Sequence, residues 1–461
     1  MARQGGRKWM FRFLIIGVPL LLIYGWMVLF RAGAPASITI TPELPAIGRA
    51  TPVKVVVEQT SRGFGDVKIE LVQGGQSTEL ATLESTPLAP HKLWGDVNGF
   101  AEWTLKVGRD QVKSLKEGDA TIRVTAVAAG ALLRRPKPAE ASVTLPVYLI
   151  PPPLGRTSSR TYVNQGGCEA VVYTVGERSV KDGVQAGEYF FPGYPLPGGG
   201  ARDRFALFAV PYNMDDASGV RLIAEDLVGN RSETRIIDQF TRKPPKQDII
   251  RISDGFMEKV VPAILANTPE MEDQGDLLKN YLAINGDLRA KNTATLNGLV
   301  AASKPEFMWN RKFVSLPNAA ARSAFADQRT YTYEGQAVDH QDHLGYDLAS
   351  VRNAPIPAAN DGVVLMAQYF GIYGNVVVID HGYGLMSLYG HLASIGVTEG
   401  QQVGRGDPIG TTGETGLAGG DHLHFTMMLQ GLPVDPKEWW DAHWLQDRLA
   451  SKLGPALNFR N

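Results

Sequence analysis

The chain has 461 residues, 46 Lys+Arg against 47 Asp+Glu, eight histidines and one cysteine, Cys168. That length exceeds one core and calls for about three folding units at roughly 150 residues each. The balanced charge excludes the positive field of a general nucleic-acid binder, so no nucleic-acid partner is expected. A single cysteine excludes an internal disulfide and any thiolate zinc cluster.

Fifty Gly and 29 Pro make a turn-rich composition that favours short strands, so the expected fold class is mainly β and multidomain. The run from Phe13 to Phe30 carries no charge over 18 residues, about 27 Å of helix, enough to span a bilayer core. Arg3, Arg7, Lys8 and Arg12 precede it, and after Arg31 the next basic residue is Arg49. The positive-inside rule then keeps the short N-terminus in the cytoplasm and exports the rest. Residues 1–35 therefore read as a cytoplasmic tip and transmembrane signal anchor. A cleaved signal peptide is the rival, because Ala32-Gly33-Ala34 resembles a cleavage site. Against cleavage stand an apolar run longer than a usual h-region and Pro35 just after the cut.

Residues 36–150 hold short β-type runs, Ser37 to Thr41, Val53 to Glu58, Val67 to Val72, Ala120 to Val127 and Ala141 to Ile150, which suit an immunoglobulin-like domain. Pro151-Pro152-Pro153 follows as a stiff connector. Residues 156–243 read as a second β-sandwich-like, immunoglobulin-like unit, with strands at Ala170 to Val175, Phe205 to Pro211, Val220 to Glu225 and Thr234 to Ile237. Both units are expected to act as spacers or contact modules for cell-envelope proteins.

After Lys243-Pro244-Pro245-Lys246 the period becomes helical. Residues 244–312 read as a helical linker or lid: Phe256, Met257, Val260, Val261, Ile264 and Leu265 share one face. Pro262 should kink that helix or shift its start. Thr268-Pro269 reads as the N-cap and first residue of a second helix carrying Leu277, Leu278, Tyr281 and Leu282.

Residues 313–445 return to strands, Gly362 to Ala367, Asn375 to Asp380, Leu385 to Tyr389 and His422 to Leu429, with residues 446–461 as a C-terminal tail. Seven of the eight histidines fall between His340 and His443. His343 precedes Asp347 by four positions, near the start of a strand. His422 and His424 stand at i and i+2 of a strand, where side chains share a face. His391 ends the run from Gly384. Zinc accepts imidazole and carboxylate, and a catalytic site uses three protein ligands and leaves one position open. Two His and one Asp meet that need, and two His remain for proton transfer.

These blocks resemble the lysostaphin-type (LytM-type) zinc metalloendopeptidases, which cut peptide bonds in bacterial peptidoglycan. The likeness runs from about Tyr331 to Trp440. It includes H-L-G-Y-D at His343, A-P-I-P-A-A-N-D-G-V-V at Ala354 and Y-G-N-V-V-V-I-D-H-G-Y-G-L at Tyr373. It continues through S-L-Y-G-H-L at Ser387, V-G-R-G-D-P-I-G-T-T-G-E-T-G at Val403 and D-H-L-H-F at Asp421. The resemblance implies a barrel-like β domain, the duplicated hybrid motif, and a Zn2+ cofactor held by His343, Asp347 and His424. It implies His391 and His422 as catalytic histidines and peptidoglycan stem peptides as substrate. His381 reads as structural, and His340 and His443 as surface residues. His340 is a weaker rival ligand, and Tyr331 or Tyr333 a rival oxyanion donor.

The expectation is a single-pass protein of the bacterial plasma membrane with its enzyme on the extracytoplasmic side. Some relatives of the family have lost zinc ligands and activate cell-wall amidases, and that is the alternative reading. H-E-x-x-H, G-x-S-x-G and G-K-[ST] signatures are absent.

Overall fold

A computed structural model describes residues 10–244 and 246–460. Arg3, Arg7 and Lys8, on which the orientation of the anchor was argued, lie outside the described residues. The chain is mainly β. It divides into two compact units, one reaching to Pro151 and including Glu225–Arg231, the other comprising Pro152–Ala224 and Ser232–Asn461.

The first unit begins with one apolar helix, α1 (Met10–Phe30), 21 residues long, whose apolar window holds no buried residue. About 31 Å of helix follows from that length. Seven strands succeed it: β1 (Ser37–Pro42), β2 (Thr51–Glu58), β3 (Phe64–Gln73), β4 (Gln76–Leu83), β5 (Phe100–Val107), β6 (Gly118–Ala128) and β7 (Ala139–Val147). They form a three-stranded sheet in the order β1-β2-β5 and a four-stranded sheet in the order β4-β3-β6-β7. The period-two pattern explains the packing. Val53, Val55 and Val57 on β2 and Ile122, Val124 and Ala126 on β6 all point into one core. Strands β4 and β5 were not expected, although Ala101, Trp103, Leu105 and Val107 alternate with Glu102, Thr104 and Lys106 along β5 and pack on this core.

Residues 154–234 build two four-stranded sheets. Two of their strands, β8 (Cys168–Val175) and β9 (Asp203–Ala209), pair antiparallel. The strand expected at Thr234 to Ile237 is instead Arg231–Thr234. Beyond it the Ile236 carbonyl accepts a hydrogen bond from Arg156 Nη1 at 2.8 Å, outside any ladder.

The region expected to be helical opens on a strand, β10 (Gln247–Arg251), which pairs in parallel with β11 (Asp327–Tyr333). Helix α2 (Asp254–Ala266) follows, its start fixed by Ser253, whose side chain accepts from the Phe256 amide. Pro262 sits inside α2 without ending it, because buried Met257, Val260, Val261 and Ile264 hold the helix on both sides of the proline. Thr268-Pro269 is not a cap. Helix α3 (Leu277–Ala283) starts at Asp276, which accepts from Lys279 N at 2.8 Å and outcompetes the upstream threonine. A single wide turn, Ile284–Leu288, joins α3 to α4 (Arg289–Gly298).

Further strands include β12 (Gln336–His343), β13 (Tyr346–Ala349), β14 (Gly362–Tyr369), β15 (Asn375–Asp380), β16 (Leu385–Ile395) and β17 (Leu423–Leu429), followed by helix α5 (Pro436–Trp440). Strands β13 to β17 belong to one ten-stranded sheet in which β13, β17, β16, β15 and β14 lie side by side in that order. Residues 446–456 are helical, and Leu449, Leu453 and Leu457 are buried in the core, so this segment is not a free tail. That core is continuous from the second β region into the C-terminal sheet. Phe205 of β9 stacks on Phe307 at 5.5 Å and meets Tyr383 edge-on at 5.0 Å. The buried Glu438 of α5 accepts from Cys168 N at 2.7 Å and Asn164 Nδ2 at 3.1 Å.

Candidate metal centre

Strand register assembles the site. Asp347 on β13 lies opposite His424 on β17, and His424 lies opposite Gly390 on β16. Three consecutive strands of the sheet thus deliver Asp347, His424 and His391 to one end. His343 is the last residue of β12 rather than the start of a strand, and the two-residue link Leu344-Gly345 turns the chain into β13. A Cβ on Gly345 would stand 2.7 Å from the Phe425 carbonyl and 2.8 Å from His424 Cε1, so only glycine lets β12 and β13 close on that imidazole.

His343 Nε2 lies 3.0 Å from Asp347 Oδ1 and 3.1 Å from His424 Nδ1, and His424 Nδ1 lies 2.9 Å from the same carboxylate oxygen. The other ring nitrogens are engaged. His343 Nδ1 donates to the Ala324 carbonyl at 2.9 Å. Thr426 Oγ1 gives its proton to the Leu344 carbonyl at 2.9 Å and so accepts from His424 Nε2 at 3.0 Å. Each imidazole therefore turns a lone pair toward a carboxylate oxygen, and three acceptors face one another with no donor among them. Such a donor set suits a cation, and these three side chains could hold one metal ion.

Around them, the rings of His422 and His391 lie 4.8 Å apart between centroids and tilted by 50°, and His391 stands 5.8 Å from His424. His422 Nδ1 donates to the Gly420 carbonyl and His391 Nδ1 to the Thr415 carbonyl, both at 2.8 Å. This leaves both Nε2 atoms for chemistry, with His422 Nε2 at 3.6 Å from Asp347 Oδ1. His391 lies inside β16, not at its end, and has φ 66°. That left-handed conformation is uncommon outside glycine and is concentrated at functional sites. Burial lowers His424 to about 4 and pushes His391 well below an ordinary imidazole. His422 is also buried, but the Asp347 carboxylate beside it outweighs burial and raises its pKa.

The other histidines stand apart. His381 is fully buried, held between the Asp361 carbonyl and Ser387 Oγ at 2.8 Å each. His340 is exposed beside Thr330. An odd spacing from His343 on the same strand puts it on the opposite face. His443 is exposed and pairs with Asp447, and His91 is exposed as well. Tyr331 lines the cavity of the site, whereas Tyr333 donates to Asp254 away from it. Sequence reasoning missed Arg329, whose Nη2 lies 2.8 Å from Asp347 Oδ2. It also missed Thr426. Arg329 carries no spacing signal, because its partner comes from another strand, whereas Thr426 stands two residues after His424 on the same strand and so shares its face.

Residues 341–436 match the model for Peptidase family M23. The C-terminal region of this chain is an M23 peptidase domain. Peptidoglycan DD-endopeptidase ShyA of Vibrio cholerae is 43% identical over 93 residues, 20% of this chain and 22% of that protein. DD-carboxypeptidase/endopeptidase Mpg of Neisseria meningitidis is 40% identical over 94 residues, again 20% and 22%. Murein hydrolase activator EnvC of Escherichia coli is 39% identical over 95 residues, 21% and 23%. The chain spans about a fifth of the length of the curated relatives it matches. Among solved structures, the catalytic domain of lysostaphin from Staphylococcus simulans is 24% identical, covering 27% of this chain and 94% of that one at a TM-score of 0.24. The M23 match holds Asp347, His391, His422, His343 and His424, while Arg329 and the helices α2 to α4 lie before it.

Proposed function

We propose that the protein is a membrane-anchored zinc endopeptidase that hydrolyses peptide cross-links in bacterial peptidoglycan. The observation that carries this reading is the convergence of His343, Asp347 and His424 with two further imidazoles in one cavity of about 440 Å³. The relatives named as peptidoglycan DD-endopeptidases support the substrate class, and α1 supports an anchor that leaves the M23 domain outside the plasma membrane. Both β regions are read as immunoglobulin-like contact modules.

In this proposal His343 Nε2, Asp347 Oδ1 and His424 Nδ1 hold zinc. Bound there, zinc supplies Lewis acidity and makes water nucleophilic near neutral pH. His422, with Nδ1 fixed on the Gly420 carbonyl, presents Nε2 as the base that takes a proton during attack on the scissile carbonyl. The same proton then serves the leaving amine. His391, with Nδ1 on Thr415, presents Nε2 beside the developing oxyanion, which it can stabilise once that nitrogen carries a proton. Arg329 holds Asp347 from behind, so the carboxylate keeps Oδ1 on the two imidazoles.

The second reading, a non-catalytic activator of cell-wall amidases, draws on the likeness to EnvC. An activator has no need of a complete ligand set and two spare imidazoles. The deciding experiment incubates purified protein with sacculi. Zinc-dependent release of soluble muropeptides, abolished by His422→Ala, supports the endopeptidase. Intact sacculi together with stimulation of an added amidase would establish the activator instead.

A further inference from the structure

The cavity that holds the histidine cluster is also lined by Arg251, Arg289 and Arg329. Arg329 is committed to Asp347. Among the described residues, neither Arg251 nor Arg289 has a carboxylate within ion-pair distance, and Arg251 is exposed. Arg289, at the start of α4, is held in place by one residue: its Nε donates to the Asn285 carbonyl at 3.0 Å and its Nη2 to Asn285 Oδ1 at 2.5 Å. Asn285 is fully buried and donates through Nδ2 to Asp339 at 2.7 Å. It lies in the wide turn that joins α3 to α4.

The guanidinium is thus clamped along one edge, while Nη1 has no protein partner among the described residues. Tyr373 lines the same cavity and packs on His424 at 5.7 Å between ring centroids, so Arg289 and the cluster address one space. A clamped guanidinium with a free edge fits a planar anion, because its fork matches the two oxygens of a carboxylate. With three arginines and only Asp342 and Asp347 as acids on the wall, the cavity is positive even before a metal ion is added.

We propose that Arg289 binds a free carboxylate of the substrate and selects peptides that carry one beside the scissile amide. This rests on the endopeptidase reading and sharpens it. A diaminopimelate-type cross-link has a free carboxylate next to the amide nitrogen, whereas the bonds inside a glycine bridge have none. Arg289 lies outside the residues matched to family M23, so the selectivity belongs to the helical segment of this chain.

The test uses the full-length, zinc-loaded protein and two synthetic cross-linked peptides that differ only in whether that carboxylate is free or amidated. The wild type should prefer the free acid by about 10- to 100-fold in kcat/KM, the span of one charge-assisted hydrogen-bonded pair. Arg289→Met should erase the preference by raising KM on the acid peptide, with kcat and the amidated peptide nearly unchanged. Arg289→Lys should restore part of it. No preference in the wild type, or an equal loss on both peptides in R289M, would overturn the proposal. Turnover of neither peptide by the wild type would count against the endopeptidase reading. Binding of the acid peptide to the His422→Ala protein, followed by calorimetry, then decides Arg289 by itself: about tenfold weaker binding on adding R289M supports it, and unchanged affinity overturns it.

Discussion

His343 and His424 face each other through Nε2 and Nδ1 across 3.1 Å, and no proton donor lies between them. Asp347 Oδ1 closes the triangle at 3.0 and 2.9 Å. Two imidazole lone pairs and a carboxylate at that range repel unless a cation joins them. The zinc content of the purified protein tests this directly. About one zinc per chain is expected for the wild type and none for Asp347→Asn or His424→Ala. His422→Ala should retain the metal while losing turnover by about 10²- to 10⁴-fold, the usual share of general acid–base catalysis.

The hydrogen bond from His424 Nε2 to Thr426 fixes which nitrogen faces the cluster. Thr426→Val keeps the shape and removes the acceptor, so zinc should bind about 10- to 100-fold more weakly. Competition against a chromogenic chelator reads that constant, and unchanged affinity would remove Thr426 from the account.

Gly345 leaves no room for a Cβ between the Phe425 carbonyl and the His424 ring. Gly345→Ala should therefore separate β13 from β17 at the site and deplete zinc. Circular dichroism should still show a folded β protein.

Glu438 is buried, and burial pushes its carboxyl pKa up to about 7. The folded protein holds this proton where the unfolded chain, with an ordinary pKa of 4.5, has released it. Stability therefore falls as pH rises from about 4.5 to about 7, by an amount on the order of 3 kcal/mol. Urea unfolding at several pH values checks the slope, and Glu438→Gln should flatten it within that window.

Phe205, fully buried in the second β region, packs on Phe307 and Tyr383 of the C-terminal part. One core implies one cooperative transition for residues 152–224 with 232–461. Phe205→Ala should lower that transition as a whole, costing about 3–5 kcal/mol. Two separated calorimetric transitions within this stretch would contradict the shared core.

The clustering of histidines was legible because metal chemistry restricts residue type, and His422-x-His424 sits at strand spacing. The helix after Lys246 was legible in its face but not in its limits. Ser253 and Asp276 make the actual caps, and a cap is decided by whether a side chain reaches an amide. Pro262 shows the same limit, since packing on both sides outweighs its local cost.

By itself, the sequence determined the candidate ligand types, the mainly β character and the long apolar helix, all of which follow from local composition and period. Only the tertiary structure decided that Asp347 lies opposite His424, that Arg329 reaches Asp347, and that Arg289 shares their cavity. Those relations are set by strand register and by helix-on-sheet packing between residues far apart in the chain, which no local pattern encodes.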